Sequence, residues 1–300
     1  MTDVDTNRTE HTRHEDDSER PALAPGWSPP PLDISVPHPH RVYDYLLGGK
    51  ENYQADRDAG RELLAKVPDV VLTVRATQAF IERSITHLAQ SGITQFLQVS
   101  NAIVAPYSSG QTVSHDVARA VHPDARFVYV AEDPVTIAAT RASLTTSQEA
   151  TQISALQEDF RDPGEFLKHP EVTDTLDLRQ PVGVLLFCML DFIADPGQAS
   201  RALDTLYQWA PSGSRIALFQ MLDWGIEDWT VFSPSILHSM IGAQMTLRTP
   251  QQLNDLLARY ADQFDPPGLV PATQWHPDGS GPDPDQGDRC ALLAAVISKP

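Results

Sequence analysis

Apolar and polar positions along the chain change their period several times, and each change marks an element. Val42, Tyr45 and Leu46 share one helical face, and Gly48-Gly49 stops that helix. Asp56–Lys66 and Val70–Gln90 read as two more helices. In the longer one Val74, Thr77, Ile81, Ile85 and Leu88 keep helical spacing, and Gly92 ends it. Phe96, Leu97 and Val99 then form an apolar run too short for a helix, which predicts a buried strand. Val113, Val117 and Val121 recur every fourth residue, a helical face, and Phe127–Val130 is a second strand closed by Pro134. Strand, helix and strand in that order make a βαβ unit, the building block of parallel sheets. Ligands of such sheets bind beyond the carboxyl ends of the strands, here Ser100–Pro106 and Ala131–Pro134.

The α/β alternation continues. Val135–Leu144 reads as a helix and Gln152–Leu156 as a third strand, with Asp162 before Pro163 as a helix start. Val182–Leu190 is nearly continuously apolar, the pattern of a central strand buried on both faces. Asp191 follows it directly. In apolar surroundings its pKa would rise; an acid–base group, a ligand for a polar substrate and a turn residue are all open to it, and it is the chain's catalytic candidate. Ala199–Trp209 reads as a helix, Arg215–Met221 as a fifth strand, and Thr249 opens a capped helix running through Tyr260. Trp224 and Trp229, in the loop after the fifth strand, line a substrate pocket or pack under the next helix. Gly268–Pro271 leads into a strand, and Ala291–Ile297 closes a sheet of about seven strands as a hairpin partner.

The first stretch, Met1 to about Leu32, has no apolar period and reads as a disordered acidic tail. The formal net charge of −18 argues against nucleic acid or an anionic membrane as partner. Cys188 and Cys290, the only cysteines, are too few for a disulfide scaffold or a thiolate metal site. A polar start and no long apolar stretch give a cytoplasmic expectation. No nucleophile triad, phosphate loop or metal-ligand spacing stands out. Oligomeric state is not legible.

Four segments carry a resemblance: Arg41–Arg57 (RVYDYLLGGKENYQADR), Asp159–Pro163 (DFRDP), Pro181–Phe187 (PVGVLLF) and Pro267–Pro271 (PGLVP). Through them the chain, from about Pro37 to Pro300, resembles the actinobacterial S-adenosyl methyltransferases, formerly known only as a domain of unknown function. The resemblance implies a Rossmann-like methyltransferase fold, a mostly parallel sheet with helices on both faces, at residues 93–300. It implies an N-terminal helical cap at 33–92, S-adenosylmethionine as cofactor and a small-molecule substrate of secondary metabolism. The cofactor residues it points to are Tyr45, Gly48 and Gly49 in the cap, Ser100, Asn101 and Ala102 after the first strand, Glu132 and Asp133 after the second, and Asp159 and Phe160 after the third. The chain departs from the family at three places. Gln98–Ala102 replaces an Asp-Ile-Gly-Thr-Gly-like turn, Ala131 takes the place of the ribose-binding acid, and Asp191 stands where His is common. Two alternatives stay open on those departures: a homologue that has lost methyl transfer and runs a cyclisation or rearrangement, and a non-catalytic metabolite-binding or regulatory protein.

Overall fold

In the computed structural model, residues 33–66, 68–100, 113–132, 134–144, 151–222, 245–280 and 292–300 are described. Three helices come first: α1 (Pro39–Leu46), α2 (Gln54–Lys66) and α3 (Val70–Gln90). Strands β1 (Gln95–Ser100), β2 (Arg126–Ala131) and β3 (Ile153–Gln157) then alternate with α4 (Ser114–Val121) and α5 (Pro134–Ser143). Two single-turn helices, α6 (Pro163–Phe166) and α7 (Pro170–Thr173), lead to β4 (Gly183–Phe187). Next come α8 (Pro196–Trp209), β5 (Arg215–Met221), α9 (Pro250–Leu257), β6 (Val270–Pro271) and β7 (Leu292–Ser298).

Among the described residues seven strands pair in the order β3-β2-β1-β4-β5-β7-β6. β1 to β5 run parallel, and β7 is antiparallel to both β5 and β6. The sheet is therefore mostly parallel, as the alternating pattern predicts. β7 is indeed the hairpin partner of β6, but it also inserts between β6 and β5 instead of adding at the edge.

Strand alternation and register put Phe96, Phe127, Phe187 and Phe219 on one face, where Phe96 stacks on Phe127 at 4.8 Å and Phe187 on Phe219 at 5.5 Å. α3 covers this face. Its Phe80 meets Phe187 and Phe219 edge-on at 6.5 and 6.1 Å, and Leu88 lies near Gly183. A Cβ at Gly183 would stand 2.6 Å from Phe96, so only glycine lets that ring lie flat on the sheet. Right-handed crossovers place α8, between β4 and β5, on the opposite face. Residues from Leu32 onward form one compact unit with one hydrophobic core, to which α1, α2 and α3 all contribute.

The differences from the sequence pattern have local causes. The apolar run expected as a single strand to Leu190 ends as strand at Phe187. Cys188 takes φ of 55°, the left-handed region, and Leu190–Phe192 forms a 3₁₀ turn. Val182 to Ile193 stays buried throughout, so apolarity marked burial rather than strand. Asp162 precedes Pro163 at a helix start, but its side chain accepts no capping bond. Thr249 does cap α9: its hydroxyl accepts from the Gln252 N–H while the Gln252 side chain accepts from the Thr249 N–H.

Candidate functional site

The run Arg41–Arg57 folds back on itself as a hairpin of α1 and α2. The Arg41 guanidinium, almost fully buried, donates to the Asp56 carboxylate at 3.0 Å and to the Val36 carbonyl at 2.7 Å. Asp56 also accepts from the His38 and Tyr53 N–H groups. Asp44, likewise buried, accepts from the Asn52 amide at 2.8 Å; burial raises its carboxyl, and the Asn52 bond partly offsets that. Arg57 donates to the Asn52 backbone and side-chain oxygens. Gly48 has φ of +78°, and a Cβ on Gly49 would stand 2.0 Å from the Asp44 carboxylate. Tyr45 lies against Gly60, where a Cβ would come within 2.4 Å of its ring. The polar residues of the run thus serve one another. Tyr43 ties the hairpin down: its hydroxyl donates to the Val74 carbonyl of α3 at 3.3 Å and accepts from the Gln78 amide.

At the carboxyl ends of β1 to β3 the structure brings together several of the expected cofactor residues. Ser100 is buried at the end of β1, while Asn101, Ala102 and Asp133 lie outside the described residues. Glu132 and Asp159, both exposed, converge on Arg161. Its guanidinium donates to Glu132 Oε1 at 3.0 Å and to Asp159 Oδ1 at 2.7 Å, and its N–H also reaches Asp159 Oδ1. Burial alone would raise the Asp159 carboxyl, but the Arg161 bonds outweigh it and hold it below the usual value. Phe160 is fully buried, with Arg161 over its ring at 5.5 Å, so it packs beneath the cluster rather than offering a free face. Ala131, at the family's acid position, is buried. Beside these ends α4 starts at a residue, Val113, that cannot cap it. The Tyr129 hydroxyl of β2 supplies the acceptor instead, taking the His115 N–H at 3.2 Å and lying 2.8 Å from His115 Nδ1.

The turn after β4 forms a second polar cluster. Asp191 is fully buried. Its Oδ1 accepts from the Met221 N–H at 2.8 Å and from Gln220 Nε2 at 3.2 Å, and its own carbonyl accepts from the Thr246 N–H at 2.6 Å. Its Oδ2 has no hydrogen-bond partner among the described residues. Arg248, also buried, spends its guanidinium on the Leu190 carbonyl at 2.7 Å, Gln220 Oε1 at 2.9 Å and the Ile193 carbonyl at 2.5 Å. Burial pushes the Asp191 carboxyl up to about 7; the Met221 N–H and the Arg248 charge pull the other way and lose. Of the roles the sequence left open to Asp191, this geometry supports that of a turn residue. Trp224 and Trp229 lie outside the described residues. A cavity of about 510 Å³ opens on the far side of Arg248, between α8 and α9.

Arg161, Gln220 and Arg248 organise these clusters, and the sequence reading passed over all three. Gln220 is a lone amide in an apolar strand, and Arg248 is a cation at a helix start, where the helix dipole disfavours it. Each is a polar residue out of place, the usual mark of a buried partner.

The strand order, with a single reversed strand slotted in before the last, defines the class: a Rossmann-like methyltransferase fold, with paired carboxylates at the ends of its second and third strands. The chain belongs to the S-adenosyl methyltransferase family, whose model matches residues 25–300. It is similar to a DUF574-family protein from Streptomyces avermitilis: 29% identity, TM-score 0.78, 89% of this chain and 99% of that one covered. It is similar also to a candidate methyltransferase from Thermobifida fusca: 29% identity, TM-score 0.77, with 91% and 99% covered. No match is found among curated proteins. The family makes this chain an enzyme of S-adenosylmethionine chemistry.

Proposed function

We propose that the chain methylates a small molecule of secondary metabolism, with the adenosine end of its cofactor held by Glu132 and Asp159. One observation supports this reading above the others. The two carboxylates stand at adjacent strand ends, and Arg161 occupies only one oxygen of each, leaving Glu132 Oε2 and Asp159 Oδ2 to accept other hydrogens. Ribose hydroxyls and the adenine amino group are donors of that kind. When bound, S-adenosylmethionine supplies a methyl group activated by its sulfonium charge. The protein's part is chiefly alignment, which accounts for much of the rate in such transfers. Arg161 keeps the two acids apart and oriented, and Phe160 backs its guanidinium. The hairpin of α1 and α2, with Tyr45, Gly48 and Gly49, is the cap of this pocket in our reading, because Tyr43 ties it to α3, whose Phe80 packs against Phe187 at the carboxyl end of β4. Ser100, Asn101, Ala102 and Asp133 belong to the cofactor's side, and Trp224 and Trp229 to the substrate's.

Calorimetric titration with S-adenosylmethionine and S-adenosylhomocysteine tests the reading. We expect both to bind, and Asp159→Ala or Glu132→Ala each to weaken binding tenfold or more. A bond to a charged acceptor contributes roughly 1.5–3 kcal/mol, and about 1.4 kcal/mol is tenfold in affinity. Binding unaffected by either substitution would move the adenosine end elsewhere. Ala131 favours a second reading, a homologue that binds the cofactor without spending its methyl group. Under that reading binding persists, yet no candidate acceptor yields S-adenosylhomocysteine.

A further inference from the structure

The carboxyl of Asp191 is buried with a full set of donors on one oxygen and none on the other. Among the described residues the charged and titratable groups that face it are Arg248, from the connection into α9, and Cys188, from the end of β4. Gln220 and the Met221 N–H are neutral donors. Arg248 acts on Asp191 by its charge and not through a hydrogen bond: three of its five N–H donors go to Leu190, Gln220 and Ile193. Cys188, itself buried with its thiol held protonated, offers no compensation.

We propose that loss of the Asp191 proton loosens the joint between the end of β5 and Thr246–Arg248, making this joint a pH-dependent release beside the ligand end of the sheet. With the proton on Oδ2, Oδ1 still accepts from Met221 and Gln220, and no charge is buried. With the proton gone, a whole charge sits in apolar surroundings with half its acceptor capacity unused. Opening the joint lets water reach the carboxylate. The elements tied here are the ends of β4 and β5 and the backbone at Thr246 and Arg248, which pairs with Leu222 in an isolated bridge. Linkage fixes the sign and the size. The open form titrates as an ordinary carboxyl near 3.8 and the closed form near 7, so the open fraction rises about tenfold per pH unit between those values and is level above them.

Amide hydrogen exchange reads this directly, because the N–H groups of Met221 and Thr246 are the ones bonded to Asp191. After correction for the intrinsic pH dependence of exchange, both amides should exchange faster as pH rises toward neutrality and then level off. Asp191→Asn, which carries no charge to release, should remove that rise. An identical pH dependence in the variant, or no rise in the native protein, overturns the proposal. Should Asp191→Asn fail to fold, the native protein decides the matter. The infrared carbonyl stretch of its buried protonated carboxyl must vanish around the pH at which the rise in exchange levels off, and a mismatch overturns the proposal equally. Neither measurement uses the cofactor. The calorimetric test can therefore fail while this one succeeds, and the reverse.

Discussion

Asp191 lies fully buried between the ends of β4 and β5, with Met221 and Gln220 both donating to the same carboxylate oxygen. Its burial and raised carboxyl follow from the apolar run before it, whereas its partners do not. Gln220, Met221 and Arg248 are remote in sequence, and only the sheet brings them together. The stability consequence has a definite sign. A carboxyl whose folded value lies above its unfolded one stabilises the fold fully only below about 3.8 and loses that contribution as pH climbs to about 7. Denaturant unfolding across this range should show native stability eroding with pH, and Asp191→Asn should lack that component and be the more stable protein at pH 7 and above. An Asn variant that tracks the native curve would mean the carboxyl is not buried as described. Glu132 and Asp159 were candidates through the family resemblance, which points to the ends of the second and third strands. Their shared dependence on Arg161 was not legible, because a pairing across two strand ends has no signature in one dimension.

At the scale of elements, the apolar periods located the long helices and strands of the described residues to within a few residues, and the exceptions are instructive. Hydrophobicity reports burial, so it ran past the real end of β4 into a turn that is equally buried. The hairpin of α1 and α2 shows the opposite gap. Its helices and glycine stop were legible, but the bonds its polar residues make to one another were not. The Arg41–Asp56 pair is its centre. Asp56→Ala would strand a buried guanidinium and two N–H groups, a change that typically costs about 3–5 kcal/mol. Thermal unfolding should register that loss. Arg41→Met added to it should recover part, because the orphaned charge leaves with the arginine. If the double variant is as weak as the single, the pair is not the hairpin's organising contact.

At the scale of the whole molecule, the parallel character of the sheet was legible and the insertion of β7 was not, since strand order depends on which edges meet in space. One side chain reports how the two ends of the sheet's second half are joined. Asp265, after α9, accepts from His87 of α3 at 2.9 Å, from Arg215 of β5 at 3.0 Å, and from the Ser298 hydroxyl of β7. Burial by itself would raise its carboxyl, but these partners outweigh burial and hold it low. Its contribution is therefore present above pH 3.8 and fades as pH falls below that, the reverse of Asp191. Asp265→Ala should cost about 2 kcal/mol near neutrality, allowing for partial solvent screening, and nearly nothing in strong acid. Urea unfolding at both pH values would show it, and an equal loss at both would assign the effect to packing alone.

The strand order also sets a sequence of events in time. β1 meets β2 across a short crossover, yet its other neighbour, β4, arrives only after β2, β3 and two short helices have been laid down. Closing the longer loop costs more chain entropy and comes later. Until it does, one edge of β1 stands open, with Phe96, Leu97 and Val99 along it. An exposed apolar edge recruits whatever strand reaches it first. Refolding of this protein is thus a race between the return of Gly183–Phe187 and the arrival of a second chain, and its yield should fall steeply with concentration.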